Sequence, residues 1–272
     1  MSEISSGSQS RAAQADPGET GPLVSVITGV FNGAEFLERC IQSVMDQNYP
    51  NIEHIIIDGG STDGSTDILR RFDQKIAFWI SEPDSGVSEA WNKGVARAHG
   101  EWICFLGADD EFLPGAVSAY MKLASQHPEA DYLLSRLRRV YPSGYVRTKG
   151  EPWTWSKFQK RMNTAHPGSM HRRSFLQKVG AFDTAYRTAL DYELLLRVRN
   201  QLKTAYMPTV TVMMRAGGIS DSSAALREAQ QAKVRSGGRP KPLAALEFQI
   251  ENSKSWLGEL RRRVVLGLRG MR

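Results

Sequence analysis

Four short apolar runs, each closed by a Gly- or Asp-containing loop and followed by a helix-period segment, restrict the fold of this chain more than any other feature. The first, LVSVIT from Leu23 to Thr28, is β-branched and leads through GVFNGA into a helical pattern that lasts to Met45. The second ends at Asp58, with DGGSTDGS as its loop and a helix predicted from near Asp63 or Ser65. AFWI runs into the loop SEPDSG and a helix around Val87 to Ala98, and WICFLGADD leads to a helix opened by Pro114. Strands alternating with crossover helices make this an α/β chain, with a doubly wound, mostly parallel sheet and helices on both faces. Such sheets hold ligands beyond the carboxyl ends of their strands, so the loops after Thr28, Ile57, Ile80 and Leu106 are expected to converge on one cleft.

Past Pro128 the regularity fades into strand-like DYLLS, aromatic EPWTWSKFQ, then HPGSMHRRSF and the strongly helical ALDYELLLRVRN, a half expected to supply the acceptor side. With 41% apolar residues in 272, the chain affords a real core. The expected organisation is a disordered segment over 1–21, the main domain over 22–220, and a linker followed by a basic amphipathic helix over 221–272, with Ser222 to Pro242 read as the linker. The tail from Asp221 carries 11 Lys+Arg against 5 Asp+Glu, which is the whole net charge of +6. The body is therefore neutral, which argues against a nucleic-acid partner. In the tail, Trp256, Leu257, Leu260, Val264 and Leu268 recur at helical spacing beside Arg261, Arg262, Arg263, Arg269 and Arg272. Two readings fit, a helix lying on an anionic membrane or one packed on the domain. No stretch reaches the roughly 20 apolar residues that span a bilayer, and Cys40 and Cys104 show no metal or redox spacing.

Asp109 and Asp110 follow directly on a hydrophobic strand. Adjacent carboxylates repel unless a cation compensates, and a hard divalent ion bridging them to a diphosphate is one answer. A helix-opening Asp110 beside a solvated Asp109 is the other. Asp58 is placed to accept from a base imide or a ribose hydroxyl, while Asp63 and Ser65 read as turn and cap. Asp84 and Asn92 fall on the expected active face; so does Lys93, as a phosphate partner or a solvated helix residue. His166 and His171 lack the spacing of a helical zinc pair, and His166 is read as an acceptor-side or pocket-wall residue. Trp153 and Trp155 alternate as in a strand and offer a stacking surface for a sugar or a core contact.

Taken in order, SVITGVFNGAEFL, DGGSTDGS, SEPDSGVSEAWNKGVARAHG, FLGADD and GAFDTAYRTALDYELLLR resemble the family 2 glycosyltransferases. The resemblance covers about residues 22 to 220, and SEPDSG looks most like the bacterial subgroup that builds surface polysaccharides such as O-antigen. It implies a GT-A fold and an inverting transfer of one sugar from a nucleotide-diphosphate sugar to the hydroxyl of a glycan or lipid-linked acceptor. It also implies a divalent Mn or Mg ion. Carried over by residue, Thr28, Val30, Phe31 and Asp58 form a nucleoside pocket, Asp109 and Asp110 the metal and diphosphate site, and Asp191 the base. Two positions depart from the pattern. Gly107 stands where many relatives have an acidic or Asn side chain, and Leu190 precedes Asp191 where Glu is frequent. The implied location is cytoplasmic or peripheral on the cytoplasmic face of the inner membrane.

A dehydrogenase is disfavoured because TGVFNGAE lacks the Gly-Xaa-Gly-Xaa-Xaa-Gly turn. A nucleotidyltransferase usually opens with a basic Gly-rich loop, absent here. The processive sugar polymerases of the resembled family carry Gln-Xaa-Xaa-Arg-Trp and membrane helices, and this sequence has neither. A non-catalytic nucleotide-sugar binder is opposed by the intact Asp191.

Overall fold

The computed structural model describes residues 21–218 and 222–253. The four expected runs are parallel strands: β1 (Val24–Val30), β2 (Ile52–Asp58), β3 (Phe78–Ser81) and β4 (Trp102–Phe105). They are joined by helices α1 (Ala34–Met45), α2 (Ser65–Arg71) and α3 (Val87–Arg97). Helix α1 buries Leu37, Cys40, Ile41 and Val44, the i, i+3, i+4, i+7 stripe of a helix covering a sheet. After β4 come β5 (Glu111–Phe112), α4 (Ala116–Gln126), β6 (Tyr132–Val140), β7 (Val146–Lys149) and α5 (Trp155–Phe158). The described chain closes with β8 (Met170–Arg172), α6 (Arg173–Val179), α7 (Leu190–Val198), β9 (Thr204–Arg215), α8 (Ser223–Arg235) and a helical stretch over 241–253.

The described strands form one sheet in the order β3-β2-β1-β4-β8-β6-β9-β5, with β7 on β6. Strand β8 runs antiparallel between β4 and β6, and β9 lies parallel to β6. Alternation along β4 shows the two layers: Trp102 and Cys104 point into the core under α1 and α4, whereas Ile103 and Phe105 join the core under α3, α6 and α7. Cys40 and Cys104 are buried free thiols, held protonated because burial pushes both well up.

The tail departs from its composition. Residues expected to form a linker are helical over Ser223–Arg235, and α8 packs on α7 with Ala232 and Lys233 buried. Lys233 and Arg239 both pair with Glu247, tying the 241–253 helix to α8. Small polar residues read as a linker because α8 presents only a narrow buried stripe. The segment 1–20 and the amphipathic stretch from Trp256 to Arg272 lie outside the described residues. Trp153 and Trp155 are not in a strand: Trp155 opens α5, and Trp153 packs against Phe158, 4.2 Å between ring centroids.

Candidate active site

Val30, Asp58 and Ser81 stand side by side at the carboxyl ends of β1, β2 and β3. Asp58 is fully buried, and its oxygens accept from the Gly60 and Ser61 backbone N–H groups and from the Ser61 and Ser81 hydroxyls. In the free protein this carboxylate organises the DGGSTDGS turn. That turn is latched to the loop after β1. The Asn32 N–H donates to Ser61 Oγ, the Thr62 N–H to Asn32 Oδ1, and the Ala34 N–H to Asp63 Oδ2. Asp63 also accepts from the Ser65 N–H and hydroxyl, the turn role expected of it, whereas the cap position of α2 falls on Gly64 and no side chain caps it.

Of the residues implied as a nucleoside pocket, Phe31 is 67% exposed at this edge, while Val30 is buried in the core against Leu37 and Ile56. Thr28 points inward, its hydroxyl 3.0 Å from His54 Nε2 beneath α1, so its side chain is turned away from the loops. Strand parity sets this, since Thr28 shares its face with Val24 and Val26. Asp84 sits over Gly59, where an added Cβ would come within 2.9 Å of Asp84 Oδ2. Burial pushes the Asp84 carboxyl up, against a bond from the Gly86 N–H and the charge of Lys93. Lys93 is held 2.8 Å from Glu82 and 2.9 Å from Glu89, so in this structure two carboxylates engage its charge. Asn92 is structural, exchanging bonds with both backbone groups of Phe182.

The loop after β4 brings the acidic pair together. An ideal Cβ on Gly107 would lie 2.9 Å from Asp110 Oδ2 and 3.0 Å from Asp109 Oδ1, so both carboxylates converge on the space that glycine leaves open. This is the physical account of the departure at Gly107: the carboxylates occupy the volume of a side chain there. Asp110 is only 4% exposed, and its Oδ1 has no bonding partner. Burial and the neighbouring charge of Asp109 hold its carboxyl well above the usual range, outweighing backbone N–H bonds and the charge of Arg139. A buried, orphaned oxygen beside a like charge suits a divalent cation. Among the described residues no third His, Cys, Asp or Glu joins them, so water and substrate oxygens would complete the shell.

Asp191 arrives at the same end of the sheet. The Gly168 N–H bonds to the Phe105 carbonyl at the end of β4, fixing the segment before β8 there. That segment carries His166, whose Nδ1 lies 3.8 Å from Asp191 Oδ2. Asp191 occupies the first turn of α7, half-buried, with its Oδ1 accepting from the Tyr192 N–H. The helix dipole there favours a carboxylate. His166 is 2% exposed, stacked by Trp91 and Phe105, and bonded to His171 at 3.2 Å. It therefore lies behind Asp191 and not on an open acceptor wall. The sequence singles out His171 only beside His166, as a zinc pair that the spacing opposes, and it gives no signal for one contributor, Glu228, which acts from α8. Its Oε2 accepts from the Arg187, Thr188 and Ala189 N–H groups and the Thr188 hydroxyl, just ahead of α7.

The family profile described as Glycosyl transferase family 2 matches residues 25–184, more than half of the chain. The chain belongs to this family. It is 36% identical over 183 residues to an uncharacterized glycosyltransferase of Mycobacterium tuberculosis, covering 65% of this chain and 69% of that one. It is 28% identical over 212 residues to a PGL/p-HBAD biosynthesis glycosyltransferase of Mycobacterium bovis, covering 74% and 80%. Among solved structures, the GT-A-type fold is shared with Staphylococcus aureus TarS in complex with UDP (TM-score 0.61, 15% identity, 83% of this chain and 69% of that one). It is shared too with the Pyrobaculum calidifontis mannosyltransferase PcManGT in complex with GDP-Man and Mn2+ (TM-score 0.62, 17% identity, 93% and 82%). The family 2 chain is a glycosyltransferase, as its motifs implied.

Proposed function

We propose that this enzyme moves a single sugar, with inversion, from a nucleoside-diphosphate sugar to an acceptor hydroxyl during assembly of a bacterial cell-surface glycan. The observation that carries the reading is the meeting of two acidic centres at one sheet end, the Asp109–Asp110 pair over Gly107 and Asp191 beside His166. Asp191 takes the proton of the attacking hydroxyl, and attack opposite the leaving diphosphate inverts the anomeric carbon, with no second carboxylate needed as a nucleophile. Asp109 and Asp110 would hold a divalent ion, which would supply charge neutralisation for a departing diphosphate. Phe31 offers its ring to the donor base, Asp58 and Asp84 shape the pocket floor, and Trp153 and Trp155 line the acceptor side.

A surface-glycan role draws support from relatives named for such work, among them a putative teichuronic acid biosynthesis glycosyltransferase of Bacillus subtilis, 43% identical over 94 residues, 34% of this chain and 37% of that one. The acceptor is a glycan or lipid-linked saccharide met at the cytoplasmic face of the membrane. No described helix is long and apolar enough to cross it. On the 241–253 helix, however, Leu243, Leu246 and Ile250 are exposed at three- and four-residue spacing ahead of the arginine-rich end. That pattern supports contact with an anionic surface. The test is release of nucleoside diphosphate from uridine, thymidine and guanosine diphosphate sugars, each with and without manganese. One donor hydrolysed or transferred with manganese dependence is the expected result; inertness of all three classes with acceptor extracts present rejects the reading.

A further inference from the structure

Behind Asp191 lies a buried pair of histidines to which the proposed chemistry assigns no task. His166 Nε2 and His171 Nε2 are 3.2 Å apart, so exactly one of these nitrogens carries the hydrogen between two neutral rings. Burial favours the neutral form of both rings, reinforced at His171 by the neighbouring His166 and opposed at His166 by the charge of Asp191. The groups around the pair are few. Asp191 faces it from α7 and Tyr132 from β6, while α3, β4 and α6 present the uncharged rings of Trp91, Phe105 and Phe175.

Two hydrogen arrangements are possible, and electrostatics separates them. If His166 gave its Nε2–H to His171, its bare Nδ1 lone pair would face the Asp191 carboxylate, and the His171 Nδ1–H would be a buried donor without a partner. If His171 gives its Nε2–H to His166, the His166 hydrogen sits on Nδ1 and points at Asp191, leaving only a lone pair on His171 Nδ1 among aromatic rings. The second arrangement replaces a repulsion with an attraction and orphans an acceptor instead of a donor. The 3.8 Å from His166 Nδ1 to Asp191 exceeds a hydrogen bond, as is common for catalytic contacts that tighten when substrate binds.

We propose that His171 fixes the tautomer of His166 so that the His166 Nδ1–H orients the Asp191 carboxylate, making both histidines positioning residues for the base. The proposal rests on Asp191 being that base. During transfer the acceptor proton passes to Asp191 and goes no further, and neither imidazole changes charge.

Histidine-selective ¹⁵N NMR of the wild-type full chain reads the tautomers without any need for activity. His166 in the Nδ1–H form and His171 in the Nε2–H form, both neutral at pH 7, are expected; the reverse pair, or a charged His166, overturns the proposal. His171→Phe keeps the ring but removes the donor, and should lower kcat about tenfold with the donor KM within about twofold. His171→Gln, whose amide nitrogen approximates Nε2, should recover most of that loss. Wild-type kcat in His171→Phe, or a Gln variant no better than Phe, also overturns it. Asp191→Asn with retained turnover strikes the base reading alone, because the wild-type spectrum reports the pair independently of it.

Discussion

At Gly107 a missing side chain is as consequential as a present one. Its open volume is where the Asp109 and Asp110 oxygens meet, and a methyl group there would press on Asp110 Oδ2 at 2.9 Å. Gly107→Ala should therefore raise the manganese concentration for half-maximal activity by tenfold or more, on the order of the loss expected from misplacing a ligand, while donor affinity measured without metal changes little. Manganese titration of initial rates decides this, and an unchanged midpoint would remove the carboxylate pair from the metal site. Residues of this kind were legible in sequence where they lie at the end of an element: Asp58 closes β2, Asp109 and Asp110 follow β4, and Asp191 lies in the first turn of α7. Orientation was not legible. Thr28 faces His54 because strand parity turns it toward a neighbour distant in the chain, while Lys93 is held by Glu82 across the SEPDSG loop and by Glu89 one helical turn away.

Among the elements, strands β1 to β4 and helices α1 to α4 followed from the apolar runs, since each run lies in a sheet covered by helices on both faces, whereas the two-residue β5 between β4 and α4 did not. Helix α8 did not, because its buried stripe is narrow and its main contribution is one side chain. Glu228 collects four donors from the residues that lead into α7. Partial burial pushes its carboxyl up, but the bonds from Thr188, Ala189 and Arg187 outweigh this and hold it below the usual range. A depressed carboxyl contributes stability above its unfolded value that is lost as pH falls through the folded one, so this share disappears below the ordinary glutamate range. Glu228→Ala is expected to cost about 1–2 kcal/mol at pH 7 and to lower kcat by loosening the turn that carries Asp191. Denaturant unfolding at pH 7 and pH 3 checks it: the gap between variant and wild type should close at the lower pH, and a gap that persists there assigns the loss to packing.

Over the whole molecule, charge is divided between a neutral body and a basic end. With Leu243, Leu246 and Ile250 exposed just ahead of it, the chain should float with vesicles containing anionic lipid and should release as salt rises, since each surface cation contributes about 1 kcal/mol. Replacing the three apolar residues with Ser should weaken flotation; equal flotation with neutral vesicles at high salt would show that this end does not read a charged surface. The proposed transfer depends most on Asp191, the carboxylate brought by α7 to the sheet end that also holds Asp109 and Asp110. Its direct test is Asp191→Asn, with donor affinity by calorimetry and transfer by product release measured on the same folded preparation. Donor affinity near wild type with turnover lower by about 10² to 10⁴ is the predicted result, and wild-type turnover in that variant would contradict it.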